Sequence, residues 1–255
     1  SHYQTSTNTY NFVNRQSNEL LVTIGDSWTW GNDLEDRLKS VYGELVSDHF
    51  NCDWLNLSLP GTGNFFITHL AEQLGTIELN YDKVRVICTF TEIGRSTNSQ
   101  DDIDFDYNNW YLQNFTEYKD LYKLLYSMNR SCVNRIVTAL PDYQVVFGSN
   151  MVEPLGFEDK NHIEKSWTQL MSEKQGFAYS DYCYGIGHGI SHLERIKNLI
   201  PITDTDYKKW MVELLDGATK RIDVVSNSNF FKNLHPLKHG HRIWADACIK
   251  VLNNT

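Results

Sequence analysis

The sequence contains no CxxC pair and no compact cluster of cysteine with histidine; its five cysteines, Cys52, Cys88, Cys132, Cys183 and Cys248, are widely spaced. That pattern excludes a zinc-finger scaffold, and an odd number of separated thiols fits reduced, buried side chains better than a disulfide framework. Long apolar runs are missing too. Residues 1–19 are polar, and no stretch reaches the roughly 18 apolar residues of a membrane span, so the expectation is a cytoplasmic protein with no secretory or transmembrane segment. Positive charge is scarce: 23 Lys and Arg against 32 Asp and Glu give a formal net charge of -9. This argues against a broad nucleic-acid or anionic-membrane surface and leaves small neutral or cationic partners. Internal repeats and low-complexity tracts are absent.

What is present suits one elaborated α/β domain over residues 1–255, since 255 residues at 41% hydrophobic and 22% charged can bury a sizeable core. Short apolar runs alternate with helical spacing. Leu20–Ile24 reads as a strand and residues 32–50 as a helix through Leu34, Leu38, Val41, Leu45 and Val46. The order repeats with a strand at Trp54–Leu57, the PGTGN turn and a helix at Phe65–Leu79, then a strand at Val84–Phe90 before TEIGR. Leu121–Leu140 reads as helix, Tyr143–Phe147 as strand and His239–Val251 as a closing amphipathic helix. Repeated crossovers of this kind predict a mostly parallel sheet with helices on both faces, whose ligands bind at the carboxyl ends of the strands. Residues 151–220 break the rhythm and are expected to form an insertion or lid, with YSDYCYGIGHGISH between helices at Asn161–Glu173 and Asp204–Leu215. The acidic, aromatic stretch DDIDFDYNNWY at 101–111 is irregular as well and reads as a solvated loop.

Within LLVTIGDSWTWGNDL, the first strand runs directly into Gly25, Asp26 and Ser27. A strand ending in a sharp turn presents the next side chain at the sheet edge, and the following helix sets free N–H groups beside it. That suits a nucleophile whose attack generates an oxyanion. It equally suits Asp26 and Ser27 as helix caps, so the triplet alone does not decide. A second piece stands near the other end in NLHPLKHGHRIWADACI, where His235 precedes Pro236.

With both pieces the sequence resembles the GDSL or SGNH family of serine esterases and acyl hydrolases. GDSWTWG resembles the nucleophile block, NLSLPGTG the second block and HPLKHGHRIWA the closing block, in the family's order. The resemblance implies a flavodoxin-like three-layer α/β/α fold, Ser27 as nucleophile, His235 as general base, and an oxyanion held by the N–H groups of Ser27 and Gly61. It implies no cofactor and no metal, and as substrate a small-molecule ester or an acylated saccharide. Two positions depart from the family. Lys232 stands where the triad acid precedes the histidine, and the third block aligns with TFTEIGR, which puts Thr91 or, in a shifted register, Glu92 in place of the asparagine donor. The Thr91 register is preferred because a carboxylate beside an oxyanion is unfavourable, and it leaves Glu92 matching the acidic residue after the asparagine. Asp26, Asn64, Glu92, Arg95 and Asp223 are supporting candidates, and Asp223, Glu92 or a backbone carbonyl is left to orient the imidazole. Transfer of the acyl group to an alcohol, and a non-catalytic binding module that kept the fold, remain as alternatives. His188 and His192 have the i, i+4 spacing of a metal pair but lack an acidic partner at a diagnostic spacing. His239 and His241 compete with His235 as bases, and PGTGN lacks the lysine of a phosphate loop.

Overall fold

The computed structural model describes residues 11–91, 118–150, 156–175, 230–232 and 235–255. Strand β1 (Phe12–Val13) is followed by β2 (Glu19–Ile24), then by three short helices, α1 (Ser27–Trp30), α2 (Arg37–Ser40) and α3 (Tyr42–Phe50). Next come β3 (Asp53–Asn56), α4 (Asn64–Gly75), β4 (Lys83–Phe90), α5 (Tyr118–Ala139) and β5 (Gln144–Ser149). The chain continues through α6 (Trp167–Gln175), β6 (Phe231–Lys232), β7 (His235–Pro236) and α7 (Lys238–Asn253).

The first five strands form one sheet in the order β1-β3-β2-β4-β5. β2 pairs in parallel with β3 and β4, β4 pairs in parallel with β5, and β1 runs antiparallel along the edge of β3. The apolar run of β2 follows from burial on both faces. Leu20, Val22 and Ile24 point into a cluster with Ile67 and Ala71 of α4 and Val133 and Ile136 of α5. Leu21, between them, points the other way, into a cluster with Tyr42 and Val46 of α3, Trp167 of α6 and Trp244 of α7. Sheet and two helical layers thus give the three-layer α/β/α arrangement expected from the sequence.

Strands β2 to β5 and the helices α4, α5 and α7 fall within a few residues of their expected ranges, whereas β1, β6 and β7 have no counterpart in the sequence reading. Two helices differ. Residues 32–50 are not one helix: Gly31 (φ 91°) and Asp33 (φ 64°) take left-handed conformations, so the chain turns after α1 and becomes helical again only in α2 and α3. The second difference is at α6, which begins at Trp167 and not at Asn161, because Ser166 accepts a hydrogen bond from the Gln169 N–H at 3.1 Å and so starts the helix there. The residues before it pair with β5, Phe147 N–H donating to Asn161 O and Ile163 N–H to Phe147 O, both at 2.9 Å. The expected helix at Asp204–Leu215, the glycine- and tyrosine-rich stretch with His188 and His192, and the 101–111 loop lie outside the described residues.

Cys52, Cys88, Cys132 and Cys248 are free and buried, and Cys183 lies outside the described residues. Burial pushes the thiol of Cys52 up to about 11 and that of Cys88 to about 12, which keeps them protonated and unreactive. Among the described residues no helix is long and apolar enough to cross a membrane, and no group of three or more His, Cys, Asp or Glu is placed to hold a metal ion.

Candidate active site

β2 and β4 are adjacent in the sheet while β3 and β5 lie outside them, so the winding of the chain reverses between β2 and β4. A crevice for ligands opens at the carboxyl ends of such a strand pair. β2 leaves the sheet there through Gly25. A Cβ on Gly25 would lie 2.2 Å from Thr29 Oγ1 and 3.2 Å from Thr89 O, so the turn requires glycine. Asp26 is the N-cap of α1, its Oδ1 accepting from Trp28 N–H at 2.9 Å. Ser27 is the first helical residue and is not the cap, which leaves its hydroxyl available for another partner.

That partner is His235. Ser27 Oγ lies 3.0 Å from His235 Nε2, and His235 Nδ1 lies 2.6 Å from Asp33 Oδ2. An ionised carboxylate only accepts, so Nδ1 carries the hydrogen and Nε2 presents its lone pair to the serine hydroxyl. The three side chains come from two places. Ser27 and Asp33 belong to one segment, where the left-handed backbone at Gly31 and Asp33 folds the chain back over the short helix α1. His235 is delivered by the two-stranded β6–β7 pair, in which Lys232 is the register partner of His235. The His235 and Asp33 side chains are 19% and 37% exposed, so the pair faces the open sheet edge.

Asp33 was not among the sequence-derived candidates, because residues 32–50 read as a helix. The turn signal was nevertheless in place, as Gly31-Asn32-Asp33 is a run of residues that favour left-handed backbone after a helix. Glu92, Arg95 and Asp223 lie outside the described residues.

The second loop is zipped onto the nucleophile turn. Leu59 N–H and Thr62 Oγ1 both donate to Gly25 O at 3.2 Å, and Gly61 between them has φ 79°. Asn64 opens α4 and clamps the end of β4: its Oδ1 accepts from Thr91 N–H at 2.9 Å while its Nδ2 donates to Thr91 O and Asn129 Oδ1, each at 3.2 Å. Ser27, Gly61 and Thr91 therefore sit on three neighbouring segments of one edge. The Asn64 amide is engaged in holding two of those segments together.

Of the competing histidines, His239 is exposed beside Phe230. His241 is fully buried, accepts from Tyr42 N–H at 3.1 Å through Nδ1 and packs edge-on against Trp167. It is a core residue, not a base at the site. Burial, with a smaller contribution from His235, holds its imidazole down to about 3 from an ordinary 6.5. In the unfolded chain His241 takes up a proton below about 6.5 that the folded protein refuses until about 3. The stability tied to this group is thus complete above that range and is lost as pH falls through it, at up to about 1.4 kcal/mol per pH unit. In urea titrations between pH 3 and 7, His241→Asn, whose Oδ1 can still accept from Tyr42, is expected to show a flatter acid limb than the wild type. Identical limbs would assign the acid lability to other groups.

No protein-family model matches the sequence, and no curated protein matches it. Solved structures do. A member of the lipolytic G-D-S-L family from Veillonella parvula is 14% identical with a TM-score of 0.43, over 93% of this chain and 100% of that one. An acetyl xylan esterase from the rumen bacterium Butyrivibrio proteoclasticus is 13% identical with a TM-score of 0.43, over 93% of this chain and 64% of that one. A salicylyl-acyltransferase from a tetracycline biosynthetic pathway is 14% identical with a TM-score of 0.39, over 92% of this chain and 55% of that one.

Proposed function

We propose that the protein is a serine esterase or acyl hydrolase acting on a small-molecule ester or an acylated saccharide through Ser27, His235 and Asp33. The observation that carries this reading is the pair of contacts on one imidazole, 3.0 Å from Nε2 to Ser27 Oγ and 2.6 Å from Nδ1 to Asp33 Oδ2. Such an array moves a proton off a hydroxyl and returns it to a leaving group.

His235 Nε2 accepts the Ser27 proton as Oγ attacks the ester carbonyl carbon, and the carbonyl π electrons move onto oxygen. The role of holding the negative oxygen falls to the N–H groups of Ser27 and Gly61 and to the Thr91 hydroxyl, by the family resemblance. Asp33 stabilises the imidazolium through Nδ1. When the tetrahedral intermediate collapses, the C–O bond to the alcohol breaks and His235 protonates the departing oxygen, leaving an acyl ester on Ser27. Water, deprotonated by the same histidine, attacks that ester; the bond from the acyl carbon to Ser27 Oγ then breaks, His235 returns the proton to Oγ, and the carboxylic acid leaves.

The test is reaction with an activated aryl acetate. Release of the phenol in a burst followed by steady turnover, together with an acetyl group on the Ser27 peptide in a quenched sample, is the expected result. A purified, folded protein that shows neither turnover nor acetylation would overturn the reading in favour of a binding role for the same fold.

A further inference from the structure

Ser27 opens a helix of only four residues, too short to hold its own geometry. Its cap, Asp26, is held in turn from the far side of the neighbouring strand. We propose that Asn150, acting through Asp26, is a positioning residue that sets the attack geometry of Ser27. This rests on the esterase reading of Ser27.

Asp26 and Asn150 are each 1% exposed. The two oxygens of the Asp26 carboxylate have different partners: Oδ1 accepts from Trp28 N–H at 2.9 Å, and Oδ2 accepts from Asn150 Nδ2 at 2.8 Å. Rotation of the carboxylate about its bond would break both together. Asn150 follows β5 directly, and its backbone is anchored on two sides. Its N–H donates to Phe90 O of β4 at 2.9 Å, and its carbonyl accepts from both the N–H and the Oγ1 of Thr168 in α6 at 2.8 Å. The line from β4 and α6 through Asn150 and Asp26 to Trp28 N–H therefore fixes the first turn of α1, and with it the Ser27 side chain relative to His235. A hydrogen bond from an amide to a buried carboxylate is charge-assisted and resists the fluctuation that an exposed cap would allow. Attack geometry is sensitive to such bracing, since a displacement of about 1 Å can cost on the order of 10²-fold.

Three variants test the brace. Asn150→Leu removes the donor at similar volume. Asn150→Asp sets a second carboxylate against the first, and the exchange Asp26→Asn with Asn150→Asp restores one donor and one acceptor with asparagine still able to cap α1. With aryl acetate, both single variants are expected to lose about 10²-fold in kcat with KM little changed. The exchange should recover at least about tenfold over Asn150→Asp. Because two buried carboxylates also cost stability, kcat is taken per folded molecule, counted by the phenol burst, so that lost stability is not read as lost rate; where Asn150→Leu fails to fold, the isosteric Asn150→Asp carries the comparison.

Single variants with wild-type kcat, or an exchange no better than Asn150→Asp, would overturn the inference while leaving Ser27 as nucleophile. If the wild type itself neither turns over nor is acetylated, the esterase reading falls, and amide hydrogen exchange over residues 25–31 judges the brace alone. Faster exchange in Asn150→Leu supports it and unchanged exchange overturns it.

Discussion

Ser27→Ala is expected to abolish ester turnover, with a loss of at least about 10⁴-fold, and to leave stability within about 0.5 kcal/mol of the wild type. The two halves of that expectation come from different contacts. Catalysis is lost because Ser27 Oγ is the atom facing His235 Nε2, and no other hydroxyl stands there among the described contacts of that histidine. Stability is kept because the helix is capped by Asp26, whose bond to Trp28 N–H does not involve the Ser27 side chain. Alanine is also a good residue for a first helical position. Parallel assays with aryl acetate and thermal melts check both halves, and wild-type turnover in Ser27→Ala would remove Ser27 from the mechanism.

The second large effect is expected at Asp33. Asp33→Asn should lower kcat by about 10²- to 10⁴-fold, because an asparagine amide can donate to Nδ1 and so favours the tautomer that carries its hydrogen on Nε2, where it cannot accept the Ser27 proton. The substitution is a clean one. Asp33 sits at φ 64°, and asparagine tolerates that left-handed backbone as readily as aspartate does, so the turn should survive the change. The carboxylate is over one-third exposed, so water can partly take over its role, which favours the lower part of the range. Lys232→Asp, which would rebuild the acid at the position the family uses, is expected to do little while Asp33 holds Nδ1. A large gain from Lys232→Asp, with no loss from Asp33→Asn, would reverse the assignment.

These two expectations also mark what could be read from the sequence. The place of Ser27 at the sheet edge was legible because an apolar strand, a glycine and a helical pattern follow one another without a gap. That His235 meets Ser27 was an expectation from the family resemblance of HPLKHGHRIWA, and the turn-forming Pro236 set His235 apart from His239 and His241. Helix starts were partly legible: Ser166-Trp167-Thr168-Gln169 has the spacing of a capping box, which the wider apolar pattern of Asn161–Glu173 obscured. The contact of Asp33 with His235 Nδ1 was not legible. Orienting an imidazole requires only an oxygen near Nδ1, and Asp33 meets that need through a three-dimensional turn for which no spacing to His235 exists in the chain. Asn150 was hidden for the same reason, since its partner Asp26 stands 124 positions away, in the turn after a different strand.

The site is joined by contacts that span nearly the whole chain: Ser27 and Asp33 are six residues apart, whereas the contacts of His235 with them bridge 208 and 202 positions. Closing so long a loop is entropically costly and late in folding. During synthesis the nucleophile and its acid emerge together, long before the base exists. On the proposed reading, the half-made protein holds an ordinary serine, unable to acylate itself on cellular esters, and it becomes reactive only when β7 and α7 dock. Onset of turnover in a refolding experiment would therefore time the docking of β7 and α7.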